Sequence, residues 1–162
     1  MLLENLLFFL IATIFLSLMG YYWRTAKPFS IPSQLPNWFR AWFILVQVLG
    51  VLLPLIALIL WGIWWGNTNV LSIFASYFLI LGLQILTETL MLKQFQTVAW
   101  VAIPYFYVPY RVWQLYQGLI IIGDNSELML VRLILEINIA IWMINYCLNL
   151  LQLPLLFRWE KE

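Results

Sequence analysis

Five long apolar stretches fill most of the 162 residues, and from Ala41 to Thr87 there is no Asp, Glu, Lys or Arg. A helix crossing a bilayer core needs roughly 20 consecutive apolar residues, so a chain of this length has room for about five crossings and little else. The stretches run Leu2–Tyr22, Arg40–Trp64, Val70–Leu92, Val98–Ile122 and Leu128–Leu150. They predict an all-α integral membrane protein, a five-helix transmembrane bundle forming one polytopic domain over residues 1–162. Charged residues make up 9% of the chain, against about 25% in soluble domains. The first stretch carries Glu4 where a secretory signal has positive charge, and it runs into Tyr21, Tyr22 and Trp23, an interfacial aromatic belt. It reads as a retained helix.

The connections carry their own signals. Pro28, Pro32 and Pro36, four apart, make residues 23–39 a turn-rich loop, because proline removes a donor and disfavours helix in the residue before it. Gly66-Asn67-Thr68-Asn69 is a tight turn. Gly123-Asp124-Asn125-Ser126 is another, with Asn125 or Ser126 available as the next N-cap. Basic residues near span ends favour the cytoplasmic side. With the N-terminus outside, Arg24, Lys27, Arg40, Lys93, Arg158 and Lys161 all fall inside, and Glu4, Asp124 and Glu127 outside. The expected orientation is N-terminus outside and C-terminus cytoplasmic, or stromal, in a bacterial plasma or thylakoid membrane. Pro104, Pro109 and Arg111 weaken the fourth stretch. The alternative is four spans plus one re-entrant or interfacial helix.

Several function classes are set aside by what the chain lacks. There is no His and a single cysteine, Cys147, which removes internal disulfides and the usual imidazole ligand or general base. A net charge of +1 gives no surface for nucleic acid. There is no phosphate-binding glycine loop, no nucleophile elbow, no metal motif and no obvious pair of catalytic carboxylates. No internal repeat suggests a transporter. The expectation is a protein without enzymatic activity and without a metal site.

Ionisable groups within spans are costly, by roughly 2.5–3.5 kcal/mol each, and are expected to pair or line a polar cavity. Four qualify: Glu88, Arg111, Arg132 and Glu136. Arg132 and Glu136, four apart, can pair on one helix. Glu88 can reach Lys93 or the interface, and Arg111 needs Glu88, a carbonyl or a lipid phosphate. Beyond Arg111, Gln114 and Gln117 continue a polar stripe with Gly118 beside it. On the last stretch Asn138, Asn145, Asn149 and Gln152 share a narrow face bordered by Trp142. Such amides act either as hydrogen-bonding glue between helices or as the wall of a pocket. Of ten tryptophans, most fall near interfaces; Trp100, Trp113 and Trp142 lie deeper. Gly62 and Gly66 form a small-xxx-small pair.

The first loop reads Lys27-Pro28-Phe29-Ser30-Ile31-Pro32-Ser33, followed by Trp38, Phe39 and Trp42. The last stretch reads Asn138-Ile139-Ala140-Ile141-Trp142, with Asn149 beyond. Together with five spans and abundant tryptophan, this resembles the tryptophan-rich sensory proteins, bacterial relatives of the mitochondrial translocator protein. Those carry Lys-Pro-x-x-x-Pro-Pro in that loop and Pro-Tyr-x-x-Trp on the fifth helix. The departures are Ser33 in place of the second proline, one extra residue before Trp42, and Gln84 and Thr87 where the family has Asn-x-x-Trp. The resemblance implies a five-helix bundle whose cavity, closed by the proline loop, takes tetrapyrroles or sterol-like lipids. Trp38, Phe39, Trp42, Asn138, Trp142 and Asn149 would line it, and homodimerisation would follow. A looser likeness, in Pro104–Gly118 and in Trp and Leu content, is to small cyanobacterial and chloroplast membrane proteins linked to photosystem assembly. The expected function is therefore non-catalytic binding of a hydrophobic planar ligand (a tetrapyrrole, a carotenoid or other pigment, or a sterol-like lipid). The alternative is an assembly factor or accessory subunit of a larger membrane complex. The partners are membrane lipids, with a second copy or other membrane subunits.

Overall fold

A computed structural model describes residues 2–24, 37–96 and 98–151, and every regular element among them is helical. Helix α1 is Leu2–Tyr22. Helix α2 covers residues 37–64 as alternating pieces: α-helical Asn37–Gln47, π-helical Val48–Leu52, α-helical Leu53–Ala57 and π-helical Leu58–Trp64. Helix α3, Thr68–Leu90, runs on through a π turn, Met91–Phe95, that ends on Gln96 in the left-handed region at φ 46°. Helix α4, Ile103–Ile122, follows a short 3-10 segment, Val98–Ala102. A second 3-10 turn, Ser126–Leu128, leads into α5, Met129–Leu150. The loop with Lys27, Pro28, Ser30, Pro32, Ser33 and Pro36, and the C-terminal Gln152, Arg158, Trp159 and Lys161, lie outside the described residues.

Three of these helices are long and apolar enough to cross a membrane: Leu3–Tyr22, Trp38–Trp64 and Thr68–Lys93. Helix α2 begins at Asn37, three residues before the expected start. The fourth stretch is helical despite its prolines. Pro104 stands in the first turn of α4, where its missing N–H is not needed, while Pro109 lies inside the helix.

The turns form as their residues dictate. Gly66 takes φ +67°, a conformation that costs glycine little. The side chain of Asn67 then caps α3 by accepting from the N–H groups of Asn69 and Val70, each at 3.1 Å. Gly123 takes φ +59°, and Asn125 is the cap that forms, accepting from the Glu127 N–H at 3.0 Å.

Helices α4 and α5 pack along their lengths, and α3 packs against α4. The core they share is built from Val70, Phe74, Tyr77, Val108, Leu115, Val131 and Leu135, all buried. Gly118 lets α3 close in: a Cβ there would lie 2.9 Å from Ile73 Cγ2. Gly62 does the same between α2 and α3, its Cβ position lying 3.1 Å from the Leu71 Cα. Helix α1 is held on α4 by aromatic contacts. Phe8 stacks on Tyr110 with ring centres 3.9 Å apart and meets Tyr107 edge-on at 5.3 Å, while Phe15 meets Phe106 at 4.6 Å. Many leucines and isoleucines of α1 and α2 face outward. In a bilayer, hydrocarbon would solvate them as well as a core does, leaving close packing and interhelical hydrogen bonds to hold the helices together.

Pro54 accounts for the first irregularity of α2, at Val48–Leu52. It has no N–H to give, which orphans the carbonyl of Gly50 in an α register and that of Leu49 in a π register. The Leu53 N–H reaches back to Val48, five residues away. Both orphans are taken up from other helices. The Tyr77 hydroxyl of α3 donates to the Gly50 carbonyl, and Asn138 Nδ2 of α5 donates to the Leu49 carbonyl at 3.1 Å. With no water in a bilayer core, side chains of neighbouring helices are the available donors.

Candidate functional site

Tyr77 and Asn138, fixed on α2 in this way, frame the deepest polar group. Arg111, on α4, is 0% exposed. Its guanidinium lies over the Trp142 ring, 4.1 Å from the centre, with the Tyr77 ring 5.7 Å away. Its Nη2 donates to Gln84 Oε1, and Gln84 Nε2 donates in turn to Glu88 Oε1 at 2.6 Å. Glu88 thus answers Arg111 through an amide on its own helix. A desolvated cation over an indole gains about 2 kcal/mol or more, which offsets part of the several kcal/mol that burying a guanidinium costs. Nε and Nη1 have no acceptor among the described residues.

Trp142 is held on several sides. Arg111 covers a face, Nε1 donates to the Tyr77 hydroxyl at 2.9 Å, and Gly50 leaves room for the ring, since a Cβ there would lie 3.1 Å from Cζ2. At 5% exposure, Trp142 is a core residue that ties α2, α3, α4 and α5 together. Asn138 sits one turn away, fully buried, its Nδ2 shared between the Leu49 and Ile134 carbonyls.

The other residues expected to line a pocket gather at the end of the bundle where α2 begins and α5 finishes. Trp42 Nε1 donates to Asn145 Oδ1 at 3.2 Å. Asn149 Nδ2 donates to the Asn145 carbonyl at 3.0 Å, and the Tyr105 hydroxyl donates to the Asn149 carbonyl. Tyr146 meets Tyr105 edge-on at 6.1 Å. Trp42, Tyr105, Asn145, Tyr146 and Asn149 are all half-buried. Phe39 is half-buried beside them in sequence and meets Trp38 edge-on at 5.9 Å, while Trp38 is 61% exposed. The amide stripe of α5 therefore divides: Asn138 belongs to the core, and Asn145 and Asn149 to a half-open aromatic end.

The remaining charged pair stands apart. Arg132 Nε donates to Glu136 Oε1 at 3.1 Å as the spacing predicts, and Nη1 also reaches Asp124 in the preceding turn. All three are exposed, so this cluster joins the turn to the start of α5 and takes no part in the interior. Among the described residues no group of three or more His, Cys, Asp or Glu stands close enough to hold a metal ion.

Two parts of the site were not singled out from sequence. Tyr77 follows from Pro54, because a proline inside an apolar helix announces carbonyls that need a donor. Asn5 is the other: buried at the start of α1, it accepts from the Tyr110 hydroxyl at 2.9 Å and from Gln114 Nε2 at 2.7 Å. Its only signal is an amide beside Glu4 at the start of an apolar helix. Compared with known proteins, the chain matches no family model, no curated protein and no solved structure.

Proposed function

We propose that this chain is a non-catalytic five-span membrane protein that binds a hydrophobic, flat ligand at its half-open aromatic end. In this reading α4 and α5 cross the bilayer with the other three helices. Of their polar residues, Arg111, Gln114 and Asn138 are buried against neighbouring helices, while Arg132 and Glu136 pair with each other at the exposed start of α5. The observation that carries the reading is the hydrogen bond from Trp42 to Asn145 across α2 and α5, continued through Asn149 to Tyr105. It sets aromatic rings with polar handles around one end of the bundle, and such rings beside a few placed amides suit an apolar ligand with a polar edge. Trp42, Phe39 and Asn149, which the family resemblance implies as lining, would face the ligand in this reading. Trp142 and Asn138 act behind them as the rigid floor. A tetrapyrrole, a carotenoid or a sterol-like lipid fits this chemistry.

A second reading is favoured by Gln47, which is exposed on α2 within the uncharged run. An amide facing lipid suits a hydrogen bond to a helix of another subunit, as in an accessory or assembly protein of a larger membrane complex. Gentle purification from native membranes, with an absorbance spectrum and mass spectrometry, separates the two. A single species carrying a pigment or lipid supports the ligand reading. Stoichiometric membrane subunits without a ligand overturn it in favour of the accessory one.

A further inference from the structure

At the opposite end of the bundle, away from Trp42, a cavity of about 170 Å³ lies between α1 and α4, lined by Glu4, Asn5, Trp113, Gln114, Gln117 and Ile121. Asn5 and Gln114 form its floor, being 1% and 2% exposed, whereas Trp113 on the wall is 41% exposed. The two floor amides are locked in orientation. Asn5 Oδ1 accepts from both Tyr110 and Gln114 Nε2, and Gln114 Nε2 also points at the Ser76 carbonyl at 3.4 Å. That leaves Asn5 Nδ2, a donor, and Gln114 Oε1, an acceptor, both buried and without a partner among the described residues.

We infer that this cavity takes the hydroxyl-bearing headgroup of an uncharged lipid, such as the sugar of a glycosyl diacylglycerol. A hydroxyl accepts from Asn5 Nδ2 and donates to Gln114 Oε1, satisfying both orphans at once. An ammonium only donates, and an ionised phosphate only accepts. No Lys or Arg is among the residues that line the cavity, so nothing there is built to hold an anionic headgroup. The volume is several times the roughly 30 Å³ share of one water, and Trp113 offers a ring face for the apolar side of a sugar. The opening lies at the end of α1 and α4, at the level of the Gly123 turn, where headgroups of a bilayer would stand. This inference rests on its own residues and is independent of a ligand at Trp42.

The test uses the full chain in nanodiscs made of equal parts phosphatidylcholine, phosphatidylglycerol and monoglucosyl diacylglycerol, released into a mass spectrometer under native conditions. The wild type is expected to retain the glucolipid over both phospholipids by about tenfold, the weight of one good hydrogen bond to a buried group. Gln114→Leu is expected to lose that preference. Trp113→Ala, at a partly exposed position, is expected to weaken it, and Gly82→Ala, in open space on α3, to leave it unchanged. A parallel arm adds soluble glucose in excess, which is expected not to displace the lipid because the acyl chains anchor it. Equal retention of the three lipids, preference for phosphatidylglycerol, displacement by free glucose, or a preference that survives both Gln114→Leu and Trp113→Ala would each overturn the inference.

Discussion

The hydroxyl of Tyr77 donates to the carbonyl of Gly50, an acceptor left open because the residue four further on is Pro54. Removing the hydroxyl strands two groups, the Gly50 carbonyl and the Trp142 indole N–H. Tyr77→Phe is therefore expected to destabilise the protein by about 1–3 kcal/mol for each orphaned group. Pro54→Ala supplies a backbone N–H to the same carbonyl, so Tyr77→Phe should cost less in that background. The check is a double-mutant cycle by thermal or denaturant unfolding in detergent, with a coupling of about 1 kcal/mol expected. Simple additivity would mean that the two residues do not share the carbonyl.

Gly50 should tolerate nothing larger. A Cβ at this position meets the indole of Trp142 at 3.1 Å, and that ring has little freedom to retreat, held as it is by Arg111 and Tyr77. Gly50→Ala is expected to cost about 1–3 kcal/mol, the usual penalty for overpacking. Gly82→Ala, in open space on α3, should be neutral or slightly stabilising. Melting temperatures of the two variants side by side make the comparison.

Arg132 offers a contrast to Arg111. Its partners Glu136 and Asp124 are exposed along with it, and exposed ion pairs contribute little. Arg132→Ala should leave the unfolding midpoint within error of wild type. A large drop would show that the cluster carries load that its exposure does not suggest.

In the proposed five-span reading, the turn at residues 123–126 and the end of α3 lie on opposite sides of the membrane. In a Cys147→Ser background, a cysteine at Asn125 should react with an impermeant maleimide from outside intact cells. One at Lys93 should react only after permeabilisation. Labelling of both from the same side would leave α4 lying in or on the membrane rather than across it.

The chain announced its helices plainly because apolar runs of membrane length have few alternatives. Local relations were equally legible: the Arg132–Glu136 pair is a matter of spacing on one helix, and of the two candidate caps, Asn125 and Ser126, it is Asn125 whose side-chain oxygen accepts. What could not be read was the identity of neighbours across helices. Periodicity places Asn138, Trp142, Asn145 and Asn149 on one face of α5, but the division of that face into a core half and a half-open end depends on where α2 crosses it. Arg111 was expected to need Glu88, a carbonyl or a lipid phosphate, and its donor goes instead to Gln84, which in turn holds Glu88. The missing N–H of Pro54 announced a carbonyl in need of a donor, yet nothing in the sequence says whether it is Gly50 or Leu49, or that Tyr77 and Asn138 are the side chains that reach them.

The most direct test of the account compares the molecule that co-purifies with wild type and with Trp42→Ala, both extracted gently from native membranes and checked for an unchanged unfolding midpoint. The account predicts a flat pigment or sterol-like lipid at near-stoichiometric level in the wild type and its loss from Trp42→Ala. Retention of the same molecule by Trp42→Ala, or a wild type that carries only other membrane subunits, would contradict it.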